Sequence, residues 1–379
     1  MRNFYRAIFV LTAAICFLTF NFVSAATSAE IRPTAEPTPT PKTKKSETRS
    51  RQKASQNAPK SDAKSPATKK TASKTSQPTA PPSGEKPTAQ IIVTAAGVIV
   101  RGQPSAKAAR LTTVKLGKVL PVTKRGTAFY LVEYETGKGG WIATSYTRDF
   151  EADRRDNLYR EIGEKYLKTK IFDFATASEV TDFLRMAQAT VKTDEARADL
   201  SFKRLLFIAA ALKAIPDGKG ERFPYKNFIK ANDRDIVFSE PAAQWYLRSE
   251  SLWDLREKFA ALPIAEEIAW TAANNPLAGE CEGYINCYLY NIRAADGEYL
   301  NFYPNGKYAQ KSLTKISNYL EPFVADIKEK TVYTPPSDIS DRAEFNRFLT
   351  ELRAIVSKVL SIEKNKVLKQ INDLGEGYK

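Results

Sequence analysis

The sequence contains no histidine. That single absence removes Ser-His-Asp and Cys-His catalysis, HExxH zinc sites and most transition-metal ligation. There is also no Walker loop, no GxGxxG after a strand and no GxSxG elbow, so phosphate-cradling, dinucleotide and α/β-hydrolase chemistry have no local motif to rest on. Cysteine is scarce, three in 379 residues, and Cys16 follows Ile15 where a lipoprotein signal requires a small residue. The N-terminal apolar run, Ala7 to Phe20, is interrupted by Thr12 and Thr19 and falls short of the about 20 residues of a membrane span.

What that run does fit is an export signal. Arg2 and Arg6 form a positive n-region, and Val23-Ser24-Ala25 places small residues at −3 and −1 of a cleavage site. Residues 1–25 are read as a signal peptide, with retention as an anchor the alternative. Export leaves Cys281 and Cys287 as an even pair in a compartment where disulfides persist. Six residues apart on one unbroken helix, they would lie about 9 Å apart along the axis, too far to bridge. A disulfide therefore needs Cys281 in the preceding loop, which Pro276 and Gly279 favour; two buried thiols are the alternative.

Residues 26–89 hold ten of the 21 prolines and are otherwise mostly Lys, Ser, Thr and Ala, without an aromatic residue. Such a composition cannot bury enough apolar surface to offset its ordering entropy, and it predicts a disordered tether spanning about 45 Å or more. The net charge of +15 is concentrated there and in residues 91–147, which carry eight Lys+Arg against two Asp+Glu. The tether's lysines either keep it extended and soluble or give it weak contact with anionic polymers or lipid headgroups. No nucleic-acid partner is expected, because the basic segments lack interleaved base-stacking aromatics.

From residue 90 the pattern becomes β-like. QIIVT, GVIVR, LTTVK, KVLPVT, FYLVEY and GGWIA are short runs of β-branched and aromatic residues, punctuated by glycines. Six such strands predict a small β-barrel or sandwich over 90–147. Val98, Val100, Val114, Leu116, Val122, Leu131 and Ile142 are its expected core. Arg101, Gln103, Tyr130, Tyr134, Trp141 and Tyr146 remain as an exposed mixture suited to peptide or glycan recognition, with partial burial of Trp141 and Tyr146 at the barrel's end as the alternative.

GVIVRGQPS, LTTVKLGKVLPV and AFYLVEYETGKGGWIATSY, in that order, resemble the three motifs of bacterial SH3 domains, with Trp141 and Tyr146 at the family's aromatic positions. Gln103 stands where the family has Gly, and Ala128-Phe129-Tyr130 where it has Gly-Trp-Tyr. The resemblance implies binding to a cell-wall peptide or a protein, and no catalytic residue.

Residues 148–379 change to helical period. Expected helices run from Asp153 to Leu167, from a Thr176–Glu179 capping box to Val191, from Asp194 to Ile215, and from a Ser239-Glu-Pro cap through Trp245. Others carry Trp253 and Trp270. A last one, about Asp341 to Leu374, carries Phe345, Leu349, Leu352, Val356 and Val359 as one packing stripe. DGEYLNFYPNGKYAQKSL resembles the helix–turn–helix of tetratricopeptide-like proteins, with Trp270 upstream. Tyr299, Leu300, Tyr303, Tyr308 and Leu313 would close an aromatic core across its turn. Glu266-Glu267 and Glu280/Glu282 are read as solvated faces rather than acid/base pairs.

The resulting expectation is a multidomain chain: signal peptide (1–25), disordered linker (26–89), SH3-like β-barrel (90–147) and all-α domain (148–379). Its function would be non-enzymatic and cofactor-free, binding a cell-wall polymer or envelope protein in the periplasm or cell envelope. The alternatives are a barrel-targeted carboxylate wall hydrolase and a scaffold whose barrel binds nothing.

Overall fold

The computed structural model describes residues 89–169 and 172–378. The expected signal peptide, and the linker up to residue 88, lie outside the described residues.

Seven strands form the first part: β1 (Ala89–Val93), β2 (Val98–Arg101), β3 (Arg110–Val114), β4 (Val119–Arg125), β5 (Phe129–Glu135), β6 (Lys138–Ala143) and β7 (Thr147–Asp149). They make one antiparallel sheet of order β3-β2-β6-β5-β4-β1-β7. Strands near opposite ends of that order nevertheless share one core. Val114 of β3 and Ile91 and Val93 of β1 cluster with Val98, Val100, Leu120, Val122, Val132 and Ile142. The sheet must therefore curl on itself, and register shifts at Val100/Arg101, Val122/Lys124 and Glu133/Glu135 supply the bends. The expected core holds except at two positions: Leu116 packs into the core of the helical part instead, and Leu131 is half-buried while its neighbour Val132 takes the inward place. In the unbroken run Phe129-Tyr-Leu-Val the alternation is present but its phase cannot be read.

β1 is buried on both faces. Ile91 and Val93 point into the barrel, and Ile92 between them belongs to the core of the helical part. Leu116 joins that second core, so the barrel is built onto the helices rather than strung before them. Polar ties reinforce the seam. Glu179 Oε1 accepts from Leu116 N (2.7 Å) and Gly97 N (3.2 Å), and the Tyr166 hydroxyl accepts from Ala96 N (2.9 Å).

The helical part contains α1 (Arg155–Leu167), α2 (Phe174–Thr190), α3 (Asp194–Lys213), α4 (Tyr225–Ala231), a hairpin of β8 (Ile236–Ser239) and β9 (Gln244–Leu247), α5 (Ser249–Lys258) and α6 (Ile264–Ala273). It continues with α7 (Ile285–Ile292), α8 (Glu298–Phe302), α9 (Ala309–Asp326), α10 (Ile339–Ser357) and α11 (Lys364–Gly377). Two apolar cores result, with α6 between them. Ile268 and Ala272 face the core of α1–α5, while Ala269 and Ala273 face that of α7–α11. Among the described residues, no helix is long and apolar enough to cross a membrane.

Three helix expectations are corrected. α2 opens at Phe174, where the Asp173 carboxylate accepts from Thr176 N (2.7 Å); Glu179 therefore does not close a capping box and reaches the barrel instead. Trp245 lies on β9, not on a helix, because Ile-Val-Phe-Ser and Gln-Trp-Tyr-Leu pair as a β-hairpin with their rings in contact (Phe238–Trp245 centroids 5.0 Å). The last helix breaks between Ser357 and Lys364. Its stripe, Phe345 to Val359, is buried as expected, and the chain then turns at Leu360, whose N–H donates to Asn305 Oδ1. Folding α11 back covers the stripe from within the domain.

Cys281 and Cys287 form a disulfide with Cα atoms 5.4 Å apart, Cys281 lying in the loop before α7. Glu280 and Glu282 are exposed on that loop. Glu266 and Glu267 are not a solvated face: Glu266 Oε1 accepts from the Tyr299 hydroxyl (2.7 Å) and Lys307 N (2.5 Å), and Glu267 Oε2 from the Tyr308 hydroxyl (2.6 Å). They clamp the Pro304–Gly306 turn over an aromatic cluster in which Trp270 stacks on Tyr308 (4.5 Å) and meets Tyr299 edge-on.

Asp326 closes α9 in a similar way, accepting from the backbone N–H groups of Tyr333 (2.9 Å), Thr331 (3.0 Å) and Val332 (3.2 Å). These bonds, that from Tyr333 foremost, hold its carboxyl below the usual carboxylate range. A carboxyl depressed on folding contributes stability above its unfolded value, about 3.9, and loses it as pH falls through the folded one. Urea midpoints measured from neutral pH downwards should therefore fall less steeply in acid for Asp326→Asn than for the parent chain. Parallel acid limbs would remove Asp326 from the acid response.

Candidate binding surface on the β domain

The six residues expected to face a ligand fall into three groups, and strand alternation is the reason. On β6, Gly140 and Ile142 point inward and Trp141 between them points outward. Gly140 is required by the close approach of β2, since a Cβ there would lie 2.4 Å from Val100 Cγ1. Trp141 is directly opposite Arg101 of β2 on one side and Leu131 of β5 on the other. Leu131 in turn is opposite Lys124 of β4. Arg101, Trp141, Leu131 and Lys124 thus form a row across four strands on the outer face, half-buried except for the exposed lysine.

Arg101 Nη1 donates to the Ala108 carbonyl (2.8 Å), which fixes the guanidinium at the base of the β2–β3 loop. Gln103 stands exposed on that loop. The arrangement offers one indole, a guanidinium with unused donors, an ammonium and a carboxamide. A flat apolar ring beside cationic donors suits a ligand with carboxylate or amide oxygens on an apolar frame.

Tyr130 and Tyr134 lie on the opposite face. Tyr130 is paired with the inward Ile142, and both tyrosines pack half-buried against the barrel core. The Arg125 guanidinium lies 5.2 Å over the Tyr130 ring and is ion-paired with Asp149, so this ring closes the barrel's end. Tyr146 sits apart in the turn Thr144–Tyr146, 49% exposed, with its carbonyl accepting from Thr94 N. Residues 101 and 141 are therefore brought together, 103 stands on the adjoining β2–β3 loop, and 130, 134 and 146 are not part of that row. Leu131 and Lys124 belong to it and were missed. Counting β5 from Val132, across from Val122, would have found Leu131.

Among the described residues, no hydrogen bond or ion pair ties β2, β5 or β6 to a helix; the seam runs along β1 and the turns at 94–97 and 115–118. Residues 96–148 match the family model of the bacterial SH3 domain. The chain thus carries a bacterial SH3 domain, completed by β1 upstream of the matched residues and followed by a helical domain. No curated protein and no solved structure matches the chain.

Proposed function

We propose that this is an exported, non-enzymatic cell-envelope protein whose SH3 domain binds a peptidoglycan or envelope-protein ligand through the Arg101–Trp141–Leu131 row. The observation that carries the proposal is the register that lines up a guanidinium, an indole and an aliphatic side chain on the outer face of the barrel. Bacterial SH3 domains commonly bind cell-wall material, and residues 91–147 are strongly cationic, which complements wall carboxylates. The helical domain is then the scaffold that holds the barrel and offers further surface.

The full chain should sediment with purified sacculi. Trp141→Ala combined with Arg101→Glu should weaken retention by about tenfold or more, the loss of an aromatic anchor plus a charge reversal. Tyr134→Phe, on the other face, should leave it unchanged. Equal sedimentation with and without sacculi would overturn the wall-binding reading. It would favour the second one, a scaffold whose barrel binds nothing, which the burial of Ile92 and Leu116 in the helical core supports.

A further inference from the structure

α10 and α11 are joined by residues 358–363, and this turn puts aliphatic side chains into water. Val359 is 1% exposed in the core of α7–α11, whereas Leu360 and Ile362, on either side of Ser361, are 81% and 86% exposed. The turn is nevertheless braced. Leu360 N donates to Asn305 Oδ1 (2.9 Å), on the turn that Glu266 clamps, and the Ser361 hydroxyl lies 2.8 Å from Gln310 Oε1 of α9. A polar side chain at 360 or 362 would leave those bonds in place, so neither residue is aliphatic for the sake of the fold.

We propose that this turn seats on an anionic lipid surface, with Leu360 and Ile362 entering the boundary between headgroups and acyl chains and the surrounding lysines meeting lipid phosphates. Lys358 follows the end of α10, Lys364 and Lys366 open α11, and Lys311 stands beside Gln310 on α9. The α11 pair is placed against local preference. A helix's first turn favours carboxylates, yet α11 begins Lys364-Asn365-Lys366 with no acidic residue in that turn.

Little on the protein neutralises these lysines. Lys366 has only an exposed partner, Glu321 at 3.5 Å, and Lys358 and Lys311 form no ion pair among the described residues. Lys307, also near, is taken by Glu267. Glu363 is the one carboxylate of the turn, and its bond with the Ser361 hydroxyl holds it below the usual carboxylate range. It is charged at neutral pH, which leaves residues 358–366 with three lysines to one glutamate.

The combination of apolar tip and basic rim chooses the partner. A hydrated polyanion would satisfy the lysines but leave both aliphatic chains in water. A folded protein, a second copy included, would cover them, but two side chains cannot supply the about 800 Å² that each side of a stable complex buries. A bilayer interface takes both features at once: apolar side chains reach about 5–10 Å into it while cations stay among the headgroups.

The test uses the full chain with vesicles of phosphatidylcholine, alone or with about 30% phosphatidylglycerol. Because the N-terminal residues are shared by every variant, one readout is placed on the turn itself. Cys16→Ser leaves a background whose other two cysteines are bridged, and Ile362→Cys within it takes an environment-sensitive fluorophore. Anionic vesicles should shift its emission to the blue, and the same dye at Lys192→Cys, exposed between α2 and α3, should not respond. In flotation, Leu360→Ser combined with Ile362→Ser should lower the partition coefficient at least about tenfold, as should omitting phosphatidylglycerol. Both side chains are exposed, so the melting curve of the double variant should match the parent's. No shift at 362, an equal shift at 192, or undiminished flotation of the double variant would each overturn the proposal. So would a shift at 362 that grows with protein concentration in the absence of vesicles, which would assign the turn to a second copy.

Discussion

Gly117→Val should be among the most damaging single substitutions in the chain, costing about 3–5 kcal/mol of stability and loosening the barrel from the helices. Two terms combine. Gly117 has φ +80°, a conformation that a β-branched residue adopts only with strain. A Cβ there would also lie 2.2 Å from Cδ2 and 2.8 Å from Cε2 of Phe183, with Met186 Cε at 3.3 Å. Phe183 is 2% exposed in the core of α2, where it meets Tyr159 edge-on, so the ring has nowhere to retreat. The β3–β4 turn must therefore lift away from α2, taking with it Leu116 and the Glu179 hydrogen bond at Leu116 N.

The two terms can be separated. Gly137 has φ +72° and nothing within 4 Å of a built Cβ. Gly137→Ala reports the backbone cost alone, about 1 kcal/mol. Gly117→Ala should cost clearly more, and in a Phe183→Ala background the excess should vanish, since the clashing ring is gone. Urea unfolding of the four variants measures this. Equal losses at positions 117 and 137 would sink the idea that the seam depends on this contact. Limited proteolysis gives the second readout: the parent chain should resist cleavage near residues 150–155, and Gly117→Val should release the barrel segment.

That seam shows where reading the sequence stopped. The strands were legible because β-branched runs and turn glycines are local signals, and the outward placement of Arg101 and Trp141 follows once alternation is counted, whereas their pairing across β2 and β6 does not. Ile92 was not separable from Ile91, because a strand buried on both faces has no polar phase to mark which side is which. Glu179 presented a local pattern, Thr-x-x-Glu, that is as good a capping box as any, yet its partners are 63 and 82 positions upstream. The hairpin at Trp245 went unseen because Ser-Glu-Pro is a strong helix-start signal, and the strand signal around it is only four residues long on each side. The exposed tip at Leu360 and Ile362 was hidden because a single helix running on to Leu374 places both residues inside it rather than on a turn. The aromatic cluster around Tyr299 was legible, whereas the carboxylates that hold it were not.

Those carboxylates carry the second large effect. Glu266→Ala should cost about 3–5 kcal/mol, because one oxygen serves two donors that have no other acceptor. Tyr299 is fully buried, its hydroxyl donating to Glu266 Oε1 while accepting from Tyr308 N (2.9 Å). Burial, then the bond to Glu266, pushes the Tyr299 hydroxyl's pKa up, so it remains a donor over the whole working pH range. Truncating Glu266 strands that hydroxyl and the Lys307 N–H together, and the Pro304–Gly306 turn loses its hold on α6. Glu266→Gln keeps a carbonyl oxygen in the same place and should cost only about 1 kcal/mol, the difference between a charged and a neutral acceptor. Tyr299→Phe should fall between them, since it removes one donor but leaves Tyr308 N without its acceptor. Thermal melts of the three variants give the order Ala, Phe, Gln from most to least destabilised. If Gln is as damaging as Ala, the negative charge rather than the shared oxygen holds the turn, and the clamp must be rewritten as an ion pair.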